Sequence, residues 1–328
     1  MKNSCLTEAT SLGKPENYIF LMHILTCFEV PINLFGVYCI LFKTPRKMEP
    51  VKWPLLILQL ISSFDDFLIS YLGIPYIYLP TMAGFPLGAI NAPIPQLFLM
   101  IIMTAATGAA VLVIFENRYY HLFAKESFWK VIRRPYLLLN FLIAPVCLLP
   151  VYLAIPDQAY AISVVRESMS CEPQSPWGLV VLTLDGTLIL SFCAGFGFIL
   201  TTENVAFAGI VLVKTLRRQL NQSSRKTSDL QRKFVQALII QSILPITVLV
   251  LPICYLVLCT SLNYSNQPMN NLSFSILGCH GFLSTLIMVL VHQPYRKVTL
   301  YPITQLISFA RGPSPQTIAF TNTGSLHN

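Results

Sequence analysis

The sequence predicts an all-α membrane protein, a bundle of seven transmembrane helices with the amino terminus outside and the carboxyl terminus inside. Three observations carry this reading. Seven long apolar stretches run at about 18–42, 54–79, 95–116, 135–155, 192–214, 236–261 and 271–292. A helix rises about 1.5 Å per residue against about 30 Å of hydrocarbon, so about twenty apolar residues suffice for each crossing. Basic residues fall almost entirely in alternate gaps. Residues 43–53 carry four Lys and Arg, 117–134 five, 214–233 seven and the tail from 293 three, against only Lys2, Lys14 and Arg166 on the other side. Short cytoplasmic loops retain Lys and Arg, and this split of nineteen to three sets the orientation. Finally, charged residues make up only 11% of the chain and hydrophobic ones 54%, whereas a soluble domain has about a quarter charged. A β-barrel would show short alternating segments instead.

Residues 1–17 form a polar extracellular tail in this reading. They are not expected to be a cleavable signal, because the first apolar run is already full length. Residues 18–292 form one bundle domain and 293–328 a cytoplasmic tail. Prolines punctuate the spans: Pro31 in span one, Pro75 in span two, Pro145 and Pro150 in span four, Pro245 and Pro252 in span six. Each removes a backbone hydrogen bond and kinks its helix, which neighbouring helices make tolerable. Two of them make span six the expected moving helix, with static curvature as the alternative. Span five is hardest to bound, since Trp177 to Val213 is too long for one crossing and too short for two. Counting back about twenty-two residues from Lys214 places it near 192–214 and leaves Asp185 in a loop or helical extension. In the tail, RKVTLYPITQLISF suits a short surface helix interrupted by Pro302, and the remainder reads as disordered.

Four acids fall inside the spans: Glu29, Asp65, Asp66 and Glu203. Each costs roughly 2.5–3.5 kcal/mol at a helix centre and is expected to face the bundle. No Lys or Arg lies at matching depth. The acids are therefore expected to be protonated, to bond polar neighbours such as Asn33, Gln241, His280 or Ser284, or to hold a cation. Asp65 and Asp66 are about 100° apart on a helix, so only one of them is expected to point to the bundle centre. Nine cysteines and five histidines form no metal pattern, and no metal or cofactor is expected. Cys5 and Cys171 fall in extracellular segments and are expected to pair, the alternative being two free thiols. The charge of +8 suits anionic lipid heads or an acidic partner surface and is not evidence for nucleic acid.

Span three ends in FENRYYHL, with Glu116 and Arg118 at the water boundary, where the pair acts as a lock on the inactive bundle or as ordinary interface charges. Span seven ends in HQPYRKV, with His292, Pro294, Tyr295 and Arg296 as a rigid terminus whose aromatic lies at the headgroup level.

With EVPINLFGVYCILFKTPRKMEPVKW, IPYIYLPTMAGFPLG, FENRYY, LQRKFVQALIIQSILPITVLVLPICY, HGFLST and HQPYR in this order, the chain resembles the nematode chemoreceptors of serpentine receptor class H over nearly its whole length. The resemblance implies a G-protein-coupled chemosensory receptor in the plasma membrane, in sensory-neuron cilia, that binds a small molecule within the bundle and activates a heterotrimeric G protein, alone or as an oligomer. It places Glu116, Asn117 and Arg118 where better-known receptors carry Asp-Arg-Tyr, with the order altered, and makes His292 to Arg296 the span-seven signature. In a receptor the ligand is expected among the outer halves of spans three, five, six and seven, near Gln96, Met100, Thr104, Tyr255 and Cys279. Coupling to the G protein is expected at a basic cytoplasmic rim of Arg118, Arg217, Arg218, Arg232, Lys233 and Arg296. The rival reading is an ion channel or transporter whose pathway the four acids line, although the sequence has no inverted repeat. An enzyme is not expected: there is no Gly-x-Ser-x-Gly elbow and no HExxH motif.

Overall fold

The computed structural model describes residues 11–169, 178–220, 247–292 and 294–300. Cys5, Cys171, Arg232, Lys233, Gln241 and Pro245 lie outside them, and so does the proposed disulfide.

Helix α1 (Pro15–Phe42) starts on a proline at its first position, where the missing N–H would be unbonded in any case. Helix α2 (Glu49–Phe67) continues as a π-helical turn, Leu68–Gly73, and stops there. The sequence had placed span two through residue 79. Instead Pro75–Tyr78 forms strand β1, antiparallel to β2 (Ala83–Pro86), with Pro75 opposite Pro86 and Tyr78 opposite Ala83. Pro75 therefore starts a strand and does not kink a helix. Strand β3 (Val180–Val181) adds to the far side of β2. This small sheet was not expected from a pattern dominated by twenty-residue apolar runs.

Helix α3 (Pro93–Tyr119) extends by a π-helical turn, Tyr120–Ala124. Helix α4 (Trp129–Leu153) begins six residues before the expected 135 and contains Pro135, Pro145 and Pro150. A further helix, α5 (Gln158–Ser168), occupies the long connection read from sequence as a loop. Asp157 caps it by accepting from Tyr160 N, and Gln158 pins it to β3 through two hydrogen bonds with Val181. Helix α6 (Thr187–Leu220) is longer than 192–214 and leaves Asp185 in the preceding loop. Helix α7 (Thr247–Ser261), with Pro252 inside it, begins at the first described residue after the gap. The expected seventh span is two helices, α8 (Gln267–Gly278) and α9 (His280–Val291), bent by 43° at Cys279.

Among the described residues, five helices are long and apolar enough to cross a membrane, and the bent α8–α9 pair makes a sixth; α7 is apolar but shorter. Their outward faces carry Phe20, Phe28, Leu34, Leu139, Val146 and Phe198, each more than half exposed. Water would not tolerate such a surface, and lipid does. Inside, α3 is the axis. At the sheet end Met100 packs with Tyr18, Met22, Tyr76, Phe85, Leu249 and Leu277; at the other end Val111 and Phe115 pack with Cys39, Leu55, Met288 and Tyr295. The sheet is fastened to the bundle by Tyr76 Oη, which donates to Gly13 O at 2.6 Å, and by Gln267 Nε2, which donates to Ile77 O at 3.3 Å.

Candidate functional site

Beneath the sheet, α3, α6, α7 and α8 stand apart around a cavity of about 230 Å³. Its roof is Ile77, Leu79 and Met82 from the hairpin and Leu182 after β3; its wall runs down past Met100, Thr104, Phe196 and Leu200 to Gly108, Val111 and Asn204. A volume somewhat below the roughly 300–1,000 Å³ of drug-sized sites suits a small molecule. Of the expected ligand residues, Met100 and Thr104 line this cavity. Gln96 lines a smaller pocket of about 40 Å³ beside it, and its Nε2 is occupied by Ile90 O at 2.9 Å. Tyr255 and Cys279 line neither: Tyr255 Oη reaches Asn270 Oδ1 at 3.4 Å, and Cys279 sits in the α8–α9 break. Asn204 was not anticipated. The available signal was Thr201 and Asn204 three apart in an apolar span, which places two polar groups on one helix face.

Thr104 connects the cavity to the buried acids, donating to Asp65 Oδ2 at 3.0 Å. Asp65 and Asp66 are both fully buried, contrary to the expectation that one of them would turn away. Helix α2 is wrapped by α1, α3 and α9, so two directions about 100° apart are both interior. Asp66 accepts from Gly281 N at 3.0 Å and Phe282 N at 2.7 Å, the first amides of α9. It thus caps a helix that starts inside the bundle, where the exposed amides and the positive end of the helix dipole favour a carboxylate. His280 Nδ1 stands 2.9 Å from Asp66 Oδ1 and 2.6 Å from Leu277 O. A ring nitrogen between two acceptors must carry the proton. Gly281 permits this approach, since a Cβ there would lie 2.8 Å from Ser62 O. Glu29 is served by Ser70 Oγ of the π-helical turn after α2 at 2.7 Å, and Ser70 by Thr26 at 3.0 Å. Below them Asn33, Gln59 and Thr285 bond one another across α1, α2 and α9. Glu203 lies apart, near Tyr136 and Asn140, and its Oε2 has no hydrogen-bond partner. Among the described residues no cluster of His, Cys, Asp or Glu has the arrangement of a metal site.

At the end opposite the sheet, Glu116 pairs with Arg133 of α4 and not with Arg118. Arg133 donates from Nε to Oε1 at 3.0 Å and from Nη2 to Oε2 at 2.8 Å, and Trp129 Nε1 adds a bond at 2.7 Å. The Arg133 guanidinium also stacks 3.9 Å over the Tyr120 ring. Two residues along a helix face nearly opposite sides, which is why Glu116 and Arg118 diverge. Arg118 is buried within electrostatic range of His292. Asn117 donates to Pro50 O at 2.9 Å, bracing the first turn of α2. His292 ends α9, and the chain turns helical again from Pro294 to residue 300. Tyr295, expected at the headgroup level, is fully buried with its hydroxyl 2.8 Å from Thr44 Oγ1. Arg217 and Arg296 are exposed, and the side chain of Arg218 lies outside the described set.

Apolar helices long enough to cross a membrane, packed around a cavity and buried polar clusters, define a multi-pass membrane protein. The family model for the serpentine type 7TM GPCR chemoreceptor Srh matches residues 13–305, and the chain belongs to that family. It is 26% identical over 304 residues, covering 89% of this chain and 87% of the other, to a Caenorhabditis elegans protein named Serpentine receptor class H-72.

Proposed function

We propose that the protein is a plasma-membrane chemosensory receptor that binds a small molecule in the α3–α6–α7–α8 cavity and activates a heterotrimeric G protein from the opposite, basic end. The amino-terminal tail, residues 1–17, faces outward and the tail from 293 inward, and residence in the cilium of a sensory neuron follows the family resemblance. The observation that carries the reading is the Thr104–Asp65 hydrogen bond: the cavity wall touches the acid next in sequence to Asp66, which caps α9. A ligand that moves Thr104 acts on the α2 segment that caps α9, a helix whose far end holds His292, within electrostatic range of Arg118.

Two measurements test it. An epitope at residue 2 should label on intact cells and one at 328 only after permeabilisation; the reverse pattern ends the proposal. Ala105 lines the cavity next to Thr104, so in cells screened with a calcium or cyclic-nucleotide readout, Ala105→Phe should fill the cavity and abolish the response to any activating compound while leaving surface labelling unchanged. A response that survives Ala105→Phe at full amplitude puts the ligand elsewhere.

A further inference from the structure

We propose that the cavity takes a small, uncharged, hydrocarbon-like molecule and that Gly197 of α6 sets the limit on its size. This rests on the proposal that the cavity is the ligand site, and it names both the class of ligand and the residue that selects within the class. The wall decides the class. Among the described residues it holds no Lys, Arg, His, Asp or Glu. Its three hydroxyls place their protons elsewhere: Thr201 Oγ1 donates to Gly197 O at 2.7 Å, Thr260 Oγ1 to Leu256 O at 3.0 Å and Thr104 Oγ1 to Asp65 Oδ2 at 3.0 Å. The Asn204 amide donates to Leu200 O at 2.8 Å. A carboxylate or an ammonium would leave its hydration shell and meet no ion of opposite sign, a cost that contact with an apolar wall does not offset. An apolar molecule carries no such cost and gains from leaving water for Met100, Phe192, Phe196 and Leu200.

The helix face decides the size. Cys193, Gly197, Thr201 and Asn204 all border the cavity and stand four, four and three residues apart, which places them on one face of α6. Phe198 and Ile199 point away from that face and are exposed. Gly197 lies in the middle of the cavity face, and a Cβ there would meet no atom within 4 Å. The space left by its missing side chain is therefore part of the ligand's room. Gly108, at the wall on α3, differs: a Cβ there would lie 3.0 Å from Leu200 Cδ1, so that glycine lets α3 and α6 approach each other. A side chain at Gly197 takes volume from the cavity without colliding with a neighbouring helix. At about 30 Å³ per water-sized group, a cavity of about 230 Å³ holds roughly eight carbon atoms, so each added methyl group counts.

The test uses the purified full-length receptor in lipid nanodiscs and its thermal midpoint with benzene, toluene, ethylbenzene, propylbenzene or butylbenzene at matched free aqueous concentration. Benzoate and benzylammonium serve as charged counterparts of toluene. Binding to the folded state raises the midpoint by mass action. Affinity should rise about four-fold for each carbon added until the cavity is full and then stop rising, while the two ions give no shift. Gly197→Ala, a change that a helix favours, should move that stop one carbon earlier. Gly197→Val should weaken ethylbenzene and the longer members by at least about ten-fold, the effect of overfilling a packed space. If the valine variant does not fold, the alanine variant decides alone.

A stop at the same member of the series in Gly197→Ala and in the unmodified receptor, or no stop in either, removes Gly197 as the limit while the cavity stands. A shift from benzoate or benzylammonium equal to that from toluene removes the requirement for an uncharged ligand. If no hydrocarbon shifts the unmodified receptor, or if Ala105→Phe responds as the unmodified receptor does, the cavity is not the ligand site and both readings fall.

Discussion

Asp66→Ala is expected to keep the protein from reaching the cell surface, whereas Asp65→Asn should fold and traffic normally. The carboxylates are neighbours in sequence with very different loads. Asp66 holds two backbone amides and the His280 ring in a fully buried site. Its removal strands two amides in low dielectric and leaves the His280 ring only Leu277 O, and breaking a buried charged pair costs about 3–5 kcal/mol. No nearby backbone acceptor can replace it, because these amides are the first of α9 and have no intrahelical partners. Asp65 accepts one bond, from Thr104, and the amide oxygen of Asn can accept the same bond. Its Oδ1 has no partner to lose. Asp66→Asn should fall between, keeping one acceptor and presenting an NH₂ to a donor. Surface labelling of the three variants, with thermal midpoints of those that can be purified, gives the order Asp65→Asn, Asp66→Asn, Asp66→Ala from mildest to most severe. Equal and mild effects at both positions would show that the α9 cap is not what Asp66 contributes.

The spans were legible because length and polarity alone decide membrane crossing, and the loop charges set an expected orientation without any contact being known. What stayed hidden was tertiary. Pro75–Tyr78 is as apolar as the helix before it; only the pairing with Ala83–Pro86 makes it a strand. The sequence places the start of span four at 135 because Lys130, Arg133 and Arg134 read as loop charge, but Arg133 has a buried acid to serve and stays helical. The break at Cys279 carries no Pro or paired glycine signature beyond Gly278 and Gly281. A half-helix inside a bundle is stable because an acid 215 positions away in sequence caps it. The acids themselves were recognisable as interior groups, and His280 was among the partners considered, while the division of labour between Asp65 and Asp66 required the direction of each side chain. For the ligand site, Met100 and Thr104 were reachable from depth in span three. Tyr255 and Cys279 were not excluded until the rotation of α7 and the bend after α8 were known.

The Glu116–Arg133 pair supplies the second large effect. Arg133→Ala is expected to cost about 3–5 kcal/mol, since it leaves the fully buried Glu116 carboxylate without its cation. Trp129 alone then remains on that carboxylate, through one neutral donor. Arg133→Lys should recover part of the loss. The ammonium restores charge but not the two parallel N–H bonds, nor the planar stack on Tyr120. Glu116→Gln should be damaging by itself, because it presents an NH₂ to one of three donors. Combined with Arg133→Ala it should add little, so that a double-mutant cycle on thermal unfolding gives a coupling of at least about 2 kcal/mol. The same cycle run between Glu116 and Arg118 should give a coupling near zero, and this separates the pairing observed from the one that FENRYY suggests when read as a local lock. Because the pair ties α3 to α4 beside the basic end, ligand-independent signalling in Arg133→Lys is the functional readout, and an increase of several-fold is expected where surface labelling stays normal. Strong coupling of Glu116 to Arg118 with none to Arg133 would place the lock within α3 and remove α4 from it.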